Sequence, residues 1–481
     1  MLLDADQCYR ALAAHDPRFD GRFFVGVAST GIYCRPVCTA RTPRRRNCRF
    51  FPSAAAAEAE GFRPCLRCRP ELAPGHAAVD ANRRLAQAAA GLIDDGRLDA
   101  EARLPALAQT LGVTDRHLRR VFRDEFGVSP VEYAQTQRLL LAKRLLTDTD
   151  LAVIDVAMAS GFASLRRFNH LFRARYRITP GSLRRAAPAV PREVLAFDLA
   201  YRPPYDWEAM RAFLATRAIA GVETVEGRRY LRTVRIERGG GKVLAGWIAV
   251  GPSRKPRALA VAASASLAPA LPAVLARVKH LFDLACHPEE VAEALGELAA
   301  ARPGLRLPGA FDGFEMAVRA ILGQQVTVRA ASVIAGRFAA AFGEPVETPC
   351  AALATLFPAP ARVAALAPSD VAATGVIATR AKAIVALARE VAQGRLALEP
   401  TADVDATLER LRAIPGIGPW TAQYIAMRAL AWPDAFPHPD VAVLKAMGET
   451  NARQAAERAA RWRPWRAYAV MHLWKSLEER R

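Results

Sequence analysis

The stretch Ile414-Pro415-Gly416-Ile417-Gly418-Pro419-Trp420-Thr421-Ala422 constrains the fold more than any other part of this chain. Upstream, Leu408, Leu411 and Ile414 recur every three residues, as along one face of a helix. Pro415-Gly416 ends that helix, and Gly418-Pro419 permits a tight turn into another. The pattern predicts a helix-hairpin-helix. Gly416 and Gly418 would leave backbone N–H groups bare at a helix N-terminus, a seat for one phosphate. An ordinary Gly-Pro turn between two core helices satisfies the same pattern.

Charge favours the first reading. The 481 residues carry a formal net charge of +20, which implies a polyanionic partner, nucleic acid first among them. The length points to roughly three or four domains, and an apolar fraction of 52% suffices for several cores. The longest apolar runs are short and Ala-rich, so no membrane span is expected. The first residues lack the basic-then-apolar layout of a signal peptide. A cytoplasmic protein is therefore expected, and its eight cysteines are not expected to form structural disulfides.

Six of those cysteines fall in the first 75 residues, four of them in two close pairs, Cys34/Cys38 and Cys65/Cys68. Such pairs in a cytosolic chain fit one tetrathiolate zinc site, for which a purely structural role is the default. Cys8 and Cys48 fall outside the pairing and read as plain thiols. Arg35, Arg41, Arg44, Arg45, Arg46, Arg49, Arg63, Arg67 and Arg69 crowd the same segment; they suit phosphate contact or a solvated basic face.

Phe24-Val25-Gly26-Val27, Thr30 to Cys38, Phe50-Phe51-Pro52 and Gly61 to Pro70 together resemble the N-terminal zinc domain of the Ada family. The resemblance implies that Cys34 is the zinc-bound cysteine accepting a methyl group from a DNA methylphosphotriester, with Cys38, Cys65 and Cys68 as fellow ligands. The chemistry is sound: zinc keeps a thiol deprotonated at neutral pH, and the thiolate is the nucleophile. Four thiolates around Zn²⁺ sum to a formal −2, and methylating one leaves −1. Losing a negative charge beside DNA tightens binding, so one zinc ion would both build and activate this domain.

Pro70 to Pro74 reads as a linker, and residues 80–186 as all-helical. Leu104, Leu107, Ala108 and Leu111 lead through Gly112-Val113 to Thr114, a natural N-cap, and to a basic helix with Arg116, Arg119 and Arg120. A second copy of this helix-turn-helix layout runs from Ile154 through Gly161-Phe162 to Phe172. Phe126 to Pro130 and Tyr176 to Pro180 close the two units, and the tandem resembles the AraC-type DNA-binding domain. Arg116, Arg119, Ser164, Arg166 and Arg167 are the expected readers of bases, with phosphate contact equally open.

Residues 187–192 read as a second linker. Beyond it Val194 to Leu199, Tyr230 to Ile236 and Val243 to Val250 are strand-like, with Gly239-Gly240-Gly241 turning the chain between the last two. An antiparallel sheet with flanking helices is expected. Tyr201 to Trp207, Leu281 to Leu284, Arg302 to Gly309, Ala320 to Val326, the hairpin and Arg461 to Ala469 resemble the AlkA-type 3-methyladenine DNA glycosylases, over residues 193–481.

That resemblance implies base flipping into an aromatic pocket. Asp440 falls on the family's catalytic aspartate, placed to stabilise positive charge on the sugar, and its position after Pro439 also suits a helix N-cap. Trp420, Tyr424 and Trp474 match pocket positions whose electron-rich rings suit a cationic methylated purine. Gln325 falls on the wedge that fills the vacated stack, where leucine is known in the family, and Val441 replaces a pocket tyrosine. Trp420 occupies the place of the Schiff-base lysine of strand-nicking relatives, so a monofunctional glycosylase is expected. The absence of cysteine after Cys350 excludes a C-terminal iron–sulfur cluster. No Pro-Cys-His-Arg motif occurs, so guanine O-methyl repair is not expected.

The expected fold class is multidomain and mainly α. It comprises a small zinc α+β domain (1–75), a tandem helix-turn-helix all-α domain (80–186), an α+β antiparallel-sheet domain (193–280) and a helix-hairpin-helix all-α glycosylase domain (281–481). The expected function pairs release of alkylated purines with transcriptional regulation switched by methylation of Cys34. Expected partners are alkylated and promoter double-stranded DNA and RNA polymerase, with no membrane and a monomeric state. The reading from another class is a non-enzymatic AraC-type transcription factor whose C-terminal half only binds DNA.

Overall fold

The structure is a computed structural model that describes residues 5–15, 19–20, 23–51, 54–68, 70, 78–94, 104–148, 151–183, 194–238, 242–400 and 402–479. Arg69, both expected linkers apart from Pro70, and the Gly239-Gly240-Gly241 turn lie outside the described residues. The chain divides into two compact units, residues 1–93 with 97–136, and residues 94–96 with 137–481. No helix among the described residues is long and apolar enough to cross a membrane.

In the first unit, α1 (Ala5–Ala13) and α2 (Ala54–Ala59) accompany a four-stranded sheet. Its strands are β1 (Phe24–Val27), β2 (Ile32–Cys34), β3 (Cys48–Phe51) and β4 (Arg63–Pro64), in the order β3-β1-β2-β4. The register sets Phe24 opposite Phe51 and Val25 opposite Phe50. Side chains alternate along a strand, so Phe24, Tyr33, Phe51 and Phe62 pack on one face, and Val25, Cys48 and Cys8 on the other. Cys8 and Cys48 are thus core thiols.

Three helices follow: α3 (Ala78–Asp94), α4 (Leu104–Thr110) and α5 (Asp115–Phe126). Ala86, Ala89 and Ile93 of α3 pack with Leu107, Leu118, Val121 and Phe122. Thr114 caps α5 by accepting from the His117 N–H at 3.3 Å. Gly127 closes it at φ 73°, a conformation that costs a residue with a Cβ roughly 1–2 kcal/mol. The helix α6 (Pro130–Asp148) opens with a reciprocal cap between Ser129 and Glu132.

In the second unit, α7 (Val153–Ala159) and α8 (Leu165–Tyr176) form the second helix-turn-helix. Ser164 spends its hydroxyl capping α8, accepting from the Arg167 N–H at 3.4 Å. An antiparallel sheet follows, built from β5 (Val194–Ala200), β6 (Glu223–Glu226), β7 (Arg229–Arg238), β8 (Lys242–Pro252) and β9 (Ala258–Ser264), in the order β5-β9-β8-β7-β6. The helices α9 (Trp207–Ala215) and α10 (Leu271–Leu281) share its core through Trp207, Met210, Leu214, Leu271 and Val278.

The remaining helices are α11 (Pro288–Leu295), α12 (Glu297–Ala300), α13 (Gly313–Leu322), α14 (Val328–Phe342), α15 (Pro360–Ala364), α16 (Pro368–Ala372) and α17 (Ala378–Ala392). After them come α18 (Val404–Ala413), α19 (Pro419–Arg428), α20 (Val441–Met447), α21 (Ala452–Ala459) and α22 (Arg466–Glu479). Leu408, Leu411 and Ile414 are buried in their common core, as the periodicity requires.

Candidate active site and metal centre

The hairpin α18–α19 is the helix-hairpin-helix predicted from Pro415-Gly416-Ile417-Gly418. Gly416 adopts φ 93°, and a Cβ there would also lie 3.2 Å from that of Ala383. Gly418 needs no such freedom. It has an ordinary extended backbone, open space where a Cβ would sit, and no side-chain cap on α19. A bare helix N-terminus without a side chain in front suits a phosphate.

Gln324 secures this hairpin, a role the sequence reading missed. Its side-chain amide donates at 2.9 Å both to the Gly416 carbonyl and to Thr421 Oγ1, and its backbone carbonyl accepts from Arg380. Gln325, beside it, is exposed in the turn between α13 and α14 and holds a left-handed φ of 52°. A strained, projecting side chain at a fixed place is what a wedge needs.

Three helices converge on Asp440. The residue is the N-cap of α20, and Oδ1 accepts from the Val443 N–H at 2.9 Å. Trp420, in the first turn of α19, donates its indole N–H to Oδ2 at 2.8 Å, and Trp474 of α22 donates to Oδ1 at 3.1 Å. Three N–H donors fix both oxygens of a half-buried carboxylate, so its charge has a set position. Aromatic rings gather beside it: Trp420 and Tyr424 stack in parallel with centroids 5.2 Å apart, and Trp474 lies 6.2 Å from Tyr424 at 49°. Val441, the residue after Asp440, is 80% exposed.

Behind Tyr424 lies a guanidinium group absent from the sequence reading. Arg428 is buried, donates to Tyr424 Oη at 2.8 Å and to the Gly309 carbonyl at 3.1 Å, and also bonds the Pro308 carbonyl. Burial alone would raise the Tyr424 phenol, but Arg428, Arg217 and Arg319 outweigh it and hold it below the ordinary range. A signal was present, since Trp420, Tyr424 and Arg428 are spaced four apart on one face of α19.

In the other unit, the Sγ atoms of Cys34, Cys38, Cys65 and Cys68 all lie within 4.8 Å of one another. Sulfurs on a tetrahedral zinc sit about 3.8 Å apart, so the set fits. Taken by themselves the thiols titrate against each other. Hydrogen bonding to Cys38 and Cys68 drives Cys34 up, while the bond from Cys34 takes Cys38 down to about 2. A divalent cation resolves that conflict by stabilising all four thiolates. Cys38, Cys65 and Cys68 are buried and Cys34 is only half-buried, so Cys34 is the sulfur that a substrate can reach.

Arg35 corrects the sequence reading. It is no phosphate ligand: its side chain is fully buried, its Nε donates to Asp20 at 2.8 Å, and its Nη1 donates to the Cys68 carbonyl at 3.2 Å. Its backbone N–H lies 3.4 Å from Cys68 Sγ, so the residue supports the cluster. Arg116, Arg119, Arg166 and Arg167 are exposed on α5 and α8, Arg119 lying 3.7 Å from Asp115.

Family models match four stretches of the chain. Residues 7–71 match the metal binding domain of Ada, 107–186 a helix-turn-helix domain, 196–312 the AlkA N-terminal domain, and 318–465 the HhH-GPD superfamily of base excision DNA repair proteins. A "probable bifunctional transcriptional activator/DNA repair enzyme AlkA" of Mycobacterium tuberculosis is 39% identical over 99% of this chain and 97% of its own length. The chain belongs to this AlkA-type bifunctional family. Within the family frame, Asp440, Trp420 and Tyr424 fall inside the HhH-GPD match and Trp474 just beyond it. The "DNA-3-methyladenine glycosylase 2" of Escherichia coli is 40% identical over 58% of this chain and 96% of its own. The 3-methyladenine DNA-glycosylase of Archaeoglobus fulgidus shares the fold at a TM-score of 0.50 and 21% identity, over 58% of this chain and 97% of that one.

Proposed function

We propose that the chain hydrolyses the N-glycosidic bond of alkylated purines, of the 3-methyladenine type, in double-stranded DNA, and separately reports DNA methylation through Cys34. The observation that carries the first part is the Asp440 carboxylate, fixed by three N–H donors beside the stacked Trp420 and Tyr424 rings. Gln325 fills the stack after the base turns out, and Gly416 and Gly418 seat the backbone. The rings of Trp420, Tyr424 and Trp474 bind the cationic base. The C1′–N bond breaks with its electron pair leaving on the base, and Asp440 stabilises the positive sugar until water adds. Trp420 offers no amine for a Schiff base, so the glycosylase is monofunctional. Incubation with methylated duplex should release free base and leave an unbroken strand until alkali is added; a nick before alkali would contradict the assignment.

For the second part, Cys34, Cys38, Cys65 and Cys68 would hold one zinc ion, which would keep the Cys34 sulfur as a stable thiolate. Cys34 sulfur attacks the methyl carbon of a methylphosphotriester, an S–C bond forms, the O–C bond breaks, and the phosphodiester leaves as an anion. The thioether is not regenerated, so the transfer is stoichiometric. The drop in negative charge beside the DNA phosphates strengthens promoter binding, to which Arg116, Arg119, Arg166 and Arg167 contribute, and recruits RNA polymerase to a monomeric activator. Peptide mass analysis after exposure to methylphosphotriester DNA should find one methyl group on Cys34. Its absence, or equal methylation of protein stripped of zinc before exposure, would overturn this part.

A further inference from the structure

The second helix-turn-helix is docked on the glycosylase half. From Gln137 onward, α6 contributes Leu139, Ala142, Leu145 and Leu146 to one continuous core that holds Phe168 and Phe172 of the helix-turn-helix and Leu195, Phe197 and Leu199 of β5. The helix α7 lies on the 3₁₀ turn Ala265–Ala270 that follows β9. At the sheet edge Arg144 stacks on Phe197, 4.9 Å from the ring centroid, and donates to the Asp198 carbonyl. An edge strand presents unpaired carbonyls, and here a side chain from the regulator covers one.

The docked element also carries charge that nothing nearby balances. Arg166, Arg167, Arg173 and Arg175 lie on α8 and Arg177 caps it; all five are exposed, none pairs with a carboxylate among the described residues, and α8 holds no acidic residue. The helix α5 mixes its arginines with Asp115, Asp124 and Glu125. A rigidly held, unbalanced cationic helix binds duplex phosphate irrespective of sequence.

We propose that the second helix-turn-helix serves as a fixed DNA grip for base excision, so that α8 holds the duplex from which the glycosylase half releases a base. This rests on the glycosylase reading above. The grip needs duplex beyond the lesion, which makes its contribution depend on length.

The test compares the full chain with an Arg166→Ala/Arg167→Ala/Arg173→Ala variant and with Arg144→Ala, on two lesion-centred duplexes. One spans about one helical turn and the other about four, where a turn is roughly 10 base pairs. On the long duplex the triple variant should raise KM about tenfold at physiological salt, with kcat following the parent. On the short duplex parent and variant should share one KM. Arg144→Ala, which loosens the dock and leaves α8 intact, should move KM on the long duplex in the same direction. Equal KM for parent and triple variant on the long duplex would overturn the grip, and a triple-variant effect without an Arg144→Ala effect would overturn the dock. A parent that releases no base from either duplex would instead sink the glycosylase reading, and this inference with it.

Discussion

Asp440 takes one indole N–H on each carboxylate oxygen, so the two donors can be removed one at a time. Trp474→Phe keeps a ring in the wall and deletes the N–H. Single-turnover base release should fall roughly tenfold, the worth of one hydrogen bond to a charged group, with KM little changed. A second residue gives a pH signature. Burial pushes the Asp283 carboxyl up from 3.8 to about 7, although Arg306, the Tyr468 hydroxyl and the Leu307 N–H pull the other way. The unfolded chain therefore ionises first as pH rises, and stability is lost between about pH 4 and pH 7, by roughly 2–4 kcal/mol. Asp283→Asn should flatten that stretch of a denaturation profile; an unchanged slope would show that the carboxyl is not protonated in the fold. Family resemblance brought Asp440, Trp420 and Cys34 forward, and the fold sets Trp420 against Asp440 and Cys34 within the cysteine cluster. Arg35 misled because a cation beside two cysteine pairs has two uses, and only its buried pairing with Asp20 decides between them.

The hairpin element separates two kinds of glycine. Gly416→Ala meets both a positive φ and Ala383, and should destabilise the fold by about 1–2 kcal/mol. Gly418→Ala meets neither, so thermal denaturation should be almost unchanged while affinity for undamaged duplex falls, since the new methyl group stands where a phosphate approaches. A stability loss at Gly418 equal to that at Gly416 would contradict the phosphate seat. Elements were legible where caps and periodicity agree, as where Thr114 starts α5; Ser164, expected to read bases, instead caps α8. The strand β9 was not read, because Ala258 to Ser264 is mostly alanine and offers little β-propensity; its pairing with β5 and β8 creates it. The short β6 owes its place to pairing with β7 in the same way.

At the scale of the molecule, the parts were legible and their assembly was not. Composition and motif mark a cysteine cluster, two helix-turn-helix units and a helix-hairpin-helix, because each rests on local spacing, while the glycosylase fold was read from resemblance. The docking of the second helix-turn-helix on β5 depends on Arg144 meeting Phe197, two residues with no local signature. The same holds for the buried ions that join the sheet to α13, where Arg232 contacts Glu315 at 2.6 Å and Arg319 contacts Glu223 at 2.7 Å. Their pairing satisfies charges that the sequence alone would place at the surface. The central claim is that this chain excises alkylated bases through Asp440. The most direct measurement is single-turnover release of 3-methyladenine from methylated duplex by the parent and by Asp440→Asn, with duplex affinity measured on both. The account predicts release by the parent, a loss of at least about 100-fold in the variant, and retained affinity. Equal release by the two proteins would contradict it.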